Sequence, residues 1–266
     1  MQSFQYYLDL AQRNSSLVID TSWAQGRSVF GGLSAALVLA HLEQKTFLNE
    51  KNLRSVNVNF CGAVTAELAC EFEYQILSEG RSVIQVQGAL LQEGKVKTQL
   101  IACYAIDRQS SVQVEAQKSS PLKQREESNI LPFIEGLTPN FVQHVDLALA
   151  TKSIPFSGST STHMAGWMSF KQPPEHFSDA AILALIDAWP PVLLPMLKAP
   201  APTSSITWNI EFIQPREILN NQDALYYSCD IQQADLGYGH TEAKIYHPNG
   251  QLVALSRQLV GVYDKK

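Results

Sequence analysis

Two stretches of the chain are apolar at nearly every position, and each precedes a series of shorter runs rich in β-forming residues. The first, from about Gly31 to Phe47, begins Gly-Gly-Leu-Ser-Ala-Ala-Leu-Val-Leu-Ala-His-Leu, and the β-rich runs after it continue to Ile106. The second begins near Asp179 and is followed by Ser205–Pro215, Leu225–Gln233, Gly239–His247 and Gln251–Tyr263, each bounded by Gly, Pro, Asn or Asp. A surface helix shows one apolar stripe, whereas these segments are apolar on nearly every face, so each is expected to be a helix wrapped by other structure. The bounded runs are expected to be strands.

The two halves keep the same spacing. The interval Gly31 to Ser55 matches Ala180 to Ser205 within one residue, as Gly80 to Gly94 matches Gly237 to Gly250. Glu93-Gly94-Lys95 and Asn249-Gly250-Gln251 fall at equivalent places and read as hairpin turns, since glycine supplies the positive φ such turns need. Duplication of a unit made of a helix and an antiparallel sheet explains the agreement. The expected class is α+β: a double hotdog, two curved antiparallel sheets each wrapped around a central helix. The expected units are 1–106 and 160–266, with 107–159 as linker and crossover. Within that span Asp107–Asn129 is polar and rich in Ser and Gln, and reads as exposed.

Composition narrows the function. A net charge of −5 and the lack of a Lys/Arg cluster argue against a nucleic-acid partner. The N-terminus lacks the basic and apolar regions of a signal peptide, so a cytoplasmic protein is expected. Ala180–Leu197 approaches the length of a membrane span, but Asp187 and Pro190, Pro191 and Pro195 count against insertion, and the run reads as a core helix. Cys61, Cys70, Cys103 and Cys229 form no C-x-x-C pair, and His144, His163 and His176 show no ligand spacing, so neither a metal nor a cofactor is expected.

Asp187 is the only charged side chain between Ala180 and Leu197. An ionised carboxylate taken out of water without partners costs at least several kcal/mol, so it must find donors or face a cleft. Either arrangement suits a general base. A helix end where Asp187 bonds neighbouring backbone donors is the plainer alternative.

Val-Phe-Gly-Gly at 29–32, Gly-Arg-Ser-Val at 80–83, Phe-Ile-Gln-Pro at 212–215 and Gly-Gln-Leu-Val-Ala-Leu-Ser-Arg-Gln at 250–258 occur in an order that resembles the acyl-CoA thioesterase II family of double-hotdog proteins. The likeness covers residues 18–106 and 160–263. It implies hydrolysis of acyl-CoA, with CoA entering only as part of the substrate, and a homo-oligomeric assembly. It also implies a water held by an Asp of the second helix, a Thr or Ser on the next strand and a Gln on the last. By position these are Asp187, Ser205 and Gln258. Serine stands where threonine is usual, with Ser204 and Thr207 nearby.

Thioester hydrolysis needs a base, groups that orient water, and donors for the oxyanion. Asp187 is expected to supply the base, Ser205 and Gln258 the orientation, and the free N–H groups at Gly31 and Gly32 an oxyanion or phosphate site. Plainer roles stay open: Gln258 facing solvent, Ser205 starting a strand, and Gly31 and Gly32 allowing close packing. Two other functions compete. Gly32-Leu33-Ser34-Ala35-Ala36 is one residue short of a nucleophile elbow, which would pair Ser34 with a histidine such as His240. A non-catalytic acyl-CoA or lipid-binding module would use the same fold.

Overall fold

Both apolar stretches fold as buried helices that pack against each other, Gly31–Lys45 and Asp179–Asp187. The computed structural model describes residues 1–116 and 122–264. In chain order, helix α1 (Phe4–Arg13) is followed by strand β1 (Ser16–Val18), the small hairpin β2 (Ala24–Gln25) and β3 (Ser28–Val29), and helix α2 (Gly31–Lys45). Four strands come next: β4 (Asn52–Phe60), β5 (Ala69–Glu79), β6 (Val83–Gln92) and β7 (Lys95–Ala105). The crossing segment carries β8 (Asn129–Ile130) and β9 (Val145–Leu149), and leads to β10 (His163–Phe170) and helix α3 (Asp179–Asp187). The chain ends with β11 (Thr203–Phe212), β12 (Leu225–Asp235), β13 (Tyr238–Tyr246) and β14 (Leu252–Val262).

Every residue of α2 from Gly32 to Leu42 is buried, as the apolar pattern requires of a wrapped helix. Each fully buried leucine there contributes about 1.5–3 kcal/mol through the hydrophobic effect. A Cβ on Gly32 would lie 2.8 Å from the Ala184 carbonyl oxygen, so glycine is what lets α2 approach α3. Helix α3 is shorter than the apolar run that contains it. Ser178 caps its start by accepting the Ala181 N–H at 3.2 Å. The helix stops at Asp187 because Pro190 and Pro191 lack amide donors and their rings clash with a continued turn. The run to Leu197 was expected to be one helix; instead the chain turns, and Leu194–Met196 is a separate 3-10 turn.

Among the described residues, twelve strands form one antiparallel sheet in the order β1-β5-β6-β7-β4-β11-β14-β13-β12-β10-β9-β8. Two sheets were expected; β4 and β11 pair from Ser55↔Glu211 to Asn59↔Thr207 and join the halves into a single surface. On either side of that seam the order repeats: β5-β6-β7-β4 mirrors β12-β13-β14-β11. Asn57 pairs with Asn209 at the seam, flanked by Val56↔Ile210 and Val58↔Trp208. A two-fold about this pair exchanges Val56 with Trp208, and the irregularities at Leu53/Ser55 and Ser205/Thr207 then coincide. The two glycines expected in hairpin turns, Gly94 and Gly250, have φ of 68° and 87°.

The polar segment after β7 has two parts. Residues 107–116 are exposed as expected, and 117–121 lie outside the described residues. Leu122 then packs on a small apolar cluster on β9, β10 and β12–β14, and Trp167 Nε1 donates to the Lys123 carbonyl at 2.8 Å. This stretch straps the sheet rather than hanging free. Helix α1, whose buried Phe4, Tyr7, Leu8 and Ala11 recur at helical spacing, and strands β8–β10 were not among the expected elements; they extend the core and the sheet edge.

Candidate active site

The end of α3 is aimed at the start of α2. Asp187 is the last residue of α3, and the first turn of α2 leaves amide donors without intrahelical acceptors. The Gly32 N–H faces the Asp187 carboxylate and favours its charged form. A Cβ on Gly31 would lie 3.0 Å from Asp187 Oδ2, so a side chain there would crowd the carboxylate where the two helices meet. Asp187 is therefore at a helix end, and the backbone amide it faces, that of Gly32, belongs to the other helix. The positive end of the α2 dipole favours a carboxylate at this point.

Gln258 closes the other side of Asp187. It lies on β14 opposite Trp208, whose side chain is buried, so cross-strand partners place both on the inner face of the sheet. From there Gln258 Nε2 donates to Asp187 Oδ1 at 2.9 Å. Burial pushes the Asp187 carboxyl up to about 7, with the Gln258 and Gly32 hydrogen bonds holding it partly down. Both the acid and the base form are thus accessible near neutral pH.

Ser205 reaches the same face by an irregularity. In a regular strand it would point away from Trp208, three residues on. The pairing of β11 with β14 steps from Ser205↔Val260 to Thr207↔Leu259, leaving Ile206 as an extra residue. Such a bulge re-aims a side chain, and it sets Ser205 opposite buried Val260 on the inner face. Asp187, Ser205, Gln258 and Gly31 line one cavity of about 460 Å³. Within the set the direct hydrogen bond between side chains runs from Gln258 to Asp187. Ser204 also lines the cavity, with its hydroxyl 3.4 Å from the Tyr263 hydroxyl, while Thr207 lies on the exposed outer side.

The cavity lies between the halves. Phe60 and Gly62 from the end of β4, Thr98 from β7 and the β2–β3 hairpin form the wall facing β11 and β14. Pattern reasoning missed this wall, because no local spacing marks residues that meet across the seam. Ser34 is buried and spends its hydroxyl hydrogen on the Gly31 carbonyl at 2.9 Å, with Thr98 Oγ1 also at 2.9 Å. His240 is exposed on the outer face of β13, so the sheet separates it from Ser34 and the two do not form a nucleophile and base. Among the described residues no group of three His, Cys, Asp or Glu is placed to hold a metal ion, and no helix is long and apolar enough to cross a membrane.

Comparison with known families decides the kind of chemistry. The family model described as the acyl-CoA thioesterase N-terminal domain matches residues 19–105, and that for the C-terminal domain matches residues 121–262. The chain belongs to the acyl-CoA thioesterase family. It is accordingly a thioester hydrolase by class, with acyl-CoA as the implied substrate. The hot dog fold is shown by solved structures. A conserved protein of unknown function with that fold from Alicyclobacillus acidocaldarius is 19% identical, with a TM-score of 0.82 over 97% of this chain and 98% of that one. The acyl-CoA thioesterase II TesB2 of Mycobacterium marinum is 17% identical, with a TM-score of 0.74 over 99% of each chain. A TesB protein of Mycobacterium avium subsp. paratuberculosis is 13% identical, with a TM-score of 0.75 over 98% of this chain and 100% of that one. Comparison with curated proteins finds no significant match.

Proposed function

We propose that the protein hydrolyses acyl-CoA thioesters to a free carboxylic acid and CoA, with Asp187 as general base, in a fold of two hotdog units joined at β4 and β11. The observation that carries this reading is a carboxyl raised to about 7, facing a cavity and held by the Gln258 amide at 2.9 Å. A base with a pKa near the working pH combines a useful deprotonated fraction with real proton affinity.

In this reading a water molecule sits between Asp187 and the thioester carbonyl. Asp187 removes its proton as the oxygen attacks, and Gln258 fixes the direction of the carboxylate so that the attack is aligned. The Ser205 hydroxyl is a second handle on that water. Negative charge builds on the carbonyl oxygen, and an amide at the start of α2 is the nearest kind of donor for it. Because the Gly32 N–H serves Asp187, the role passes to Gly31, which also lines the cavity. Collapse of the tetrahedral species breaks the C–S bond, the proton held by Asp187 passes to the departing CoA sulfur, and the acid is left with Asp187 ionised again.

The deciding experiment is thiol release from acyl-CoAs of graded chain length by the wild type and by Asp187→Asn. The amide keeps the shape and removes the proton acceptor. Activity in the wild type with loss in the variant is expected. Full activity in Asp187→Asn removes Asp187 as the base, and binding without turnover at every chain length makes the protein an acyl-CoA carrier.

A further inference from the structure

Gln258 serves Asp187 only when its carboxamide presents nitrogen rather than oxygen, and a glutamine side chain has three torsions and a nearly symmetric end. Something must hold it. On the inner face its cross-strand neighbours are Trp208 on β11 and Thr241 on β13. Trp208 Nε1 donates to Ser256 Oγ at 2.8 Å, and Ser256 lies two residues before Gln258 on the same face of β14. Trp208 and Ser256 are both buried.

The first half shows that the fold does not need this hydrogen bond. The two-fold at Asn57 and Asn209 places Val56 at the position of Trp208, Ala102 at that of Gln258, Leu100 at that of Ser256 and Val86 at that of Thr241. All four are fully buried hydrocarbon. Burying a hydroxyl and an indole N–H costs more than burying hydrocarbon, and their hydrogen bond returns little net stability. The polar pair occurs in the half that carries Gln258.

We propose that Trp208 and Ser256 are positioning residues for Gln258: the hydrogen bond between them locks the indole as a wall that keeps the glutamine amide turned toward Asp187. This rests on the role of Gln258 in the proposed function, and it deepens that role. It also has a signature that a purely structural contact lacks. The Gln258 hydrogen bond lowers the pKa of Asp187, so a loosened Gln258 lets that pKa rise.

The test is the titration of Asp187, followed by carboxyl carbon resonances, in wild type, Ser256→Ala, Trp208→Phe and Gln258→Leu, with acyl-CoA hydrolysis measured in parallel. Ser256→Ala and Trp208→Phe are expected to shift the titration upward in the direction of Gln258→Leu. They are also expected to lower kcat by about three- to tenfold at nearly constant KM, the scale of one hydrogen bond, with Ser256→Thr restoring both. Two folded variants that titrate and turn over as wild type does, beside a shifted Gln258→Leu, overturn the proposal. A wild type that hydrolyses no thioester removes the catalytic reading, and the titration still decides the positioning.

Discussion

The two ends of the α2–α3 pair occupy related places in one frame and hold different chemistry. At the start of α2, the Asp187 carboxyl faces a cavity and meets the amides of Gly32 and Gln258. At the start of α3, Glu43 takes the corresponding role, and burial and the charge of Asp179 push its carboxyl up to about 8 against the Tyr104 hydroxyl, which donates to it at 3.0 Å, and Arg216. There Asp179 is ion-paired to Arg216, whose guanidinium lies 5.7 Å from the Phe212 ring centroid. Tyr104 is the counterpart of Val260, and Leu53 that of Ser205. Backbone register brings a carboxyl to a helix end in both places; side chains set its partners, a glutamine amide and a cavity at one, a tyrosine hydroxyl and a neighbouring ion pair at the other. A buried acid with a raised pKa is therefore not enough to identify a base. What singles out Asp187 is the cavity it lines and its amide partner on a neighbouring strand, where Glu43 has the Tyr104 hydroxyl.

The sharpest way to break this comparison is to remove each acid. Asp187→Asn is expected to lower kcat by about 10²–10⁴, the range of general-base catalysis, and Glu43→Gln to leave it within about twofold, both read by thiol release. Equal losses would mean that both ends take part. Gln258→Ala, which copies Ala102 into the second half, is expected to cost about 10- to 100-fold in kcat. It should also move the acidic limb of the pH–rate profile upward from about 7, because a hydrogen bond that favours the charged carboxylate is lost. Ser205→Leu, copying Leu53, is expected to cost about tenfold if the bulged serine orients water, and Ser205→Thr to cost little.

A separate pair of effects is in stability, and it treats the two ends alike. An acid whose pKa is raised by folding binds its proton more tightly in the folded state, so its contribution is full below the unfolded pKa and falls as pH climbs to the folded value. For Asp187 that window runs from 3.8 to about 7, and for Glu43 from 4.5 to about 8. Asp187→Asn and Glu43→Gln should each gain stability over the wild type in urea melts above their windows, by at most a few kcal/mol at about 1.4 per pKa unit. Neither should gain at pH 4. A gain that is constant with pH would trace to packing instead of ionisation.

Much of this site was legible because it depends on contrasts within the chain. One carboxylate in an apolar run stood out against its surroundings, and the matched spacing of the halves pointed to two related units. Gln258 and Ser205 came from resemblance, since a Gln in a strand and a Ser near a turn carry no signal of their own. The bulge at Ile206 left no mark in the pattern, yet without it Ser205 would face outward. Ser34 beside glycine looked like part of a nucleophile elbow, and in the fold its hydroxyl is spent within its own helix and on Thr98.

Hydrophobic periodicity determined which segments became central helices and which became strands, because burying apolar surface is local in its demands on spacing. Proline chemistry determined where α3 must end. Tertiary structure alone decided that the carboxylate at that end would meet the amides at the start of the other helix, that the two sheets would join at Asn57 and Asn209, and that the cavity would open on one side of the seam. Those outcomes depend on register between segments far apart in the chain, which pairwise hydrogen bonding and packing set only once the whole sheet has closed around the helices.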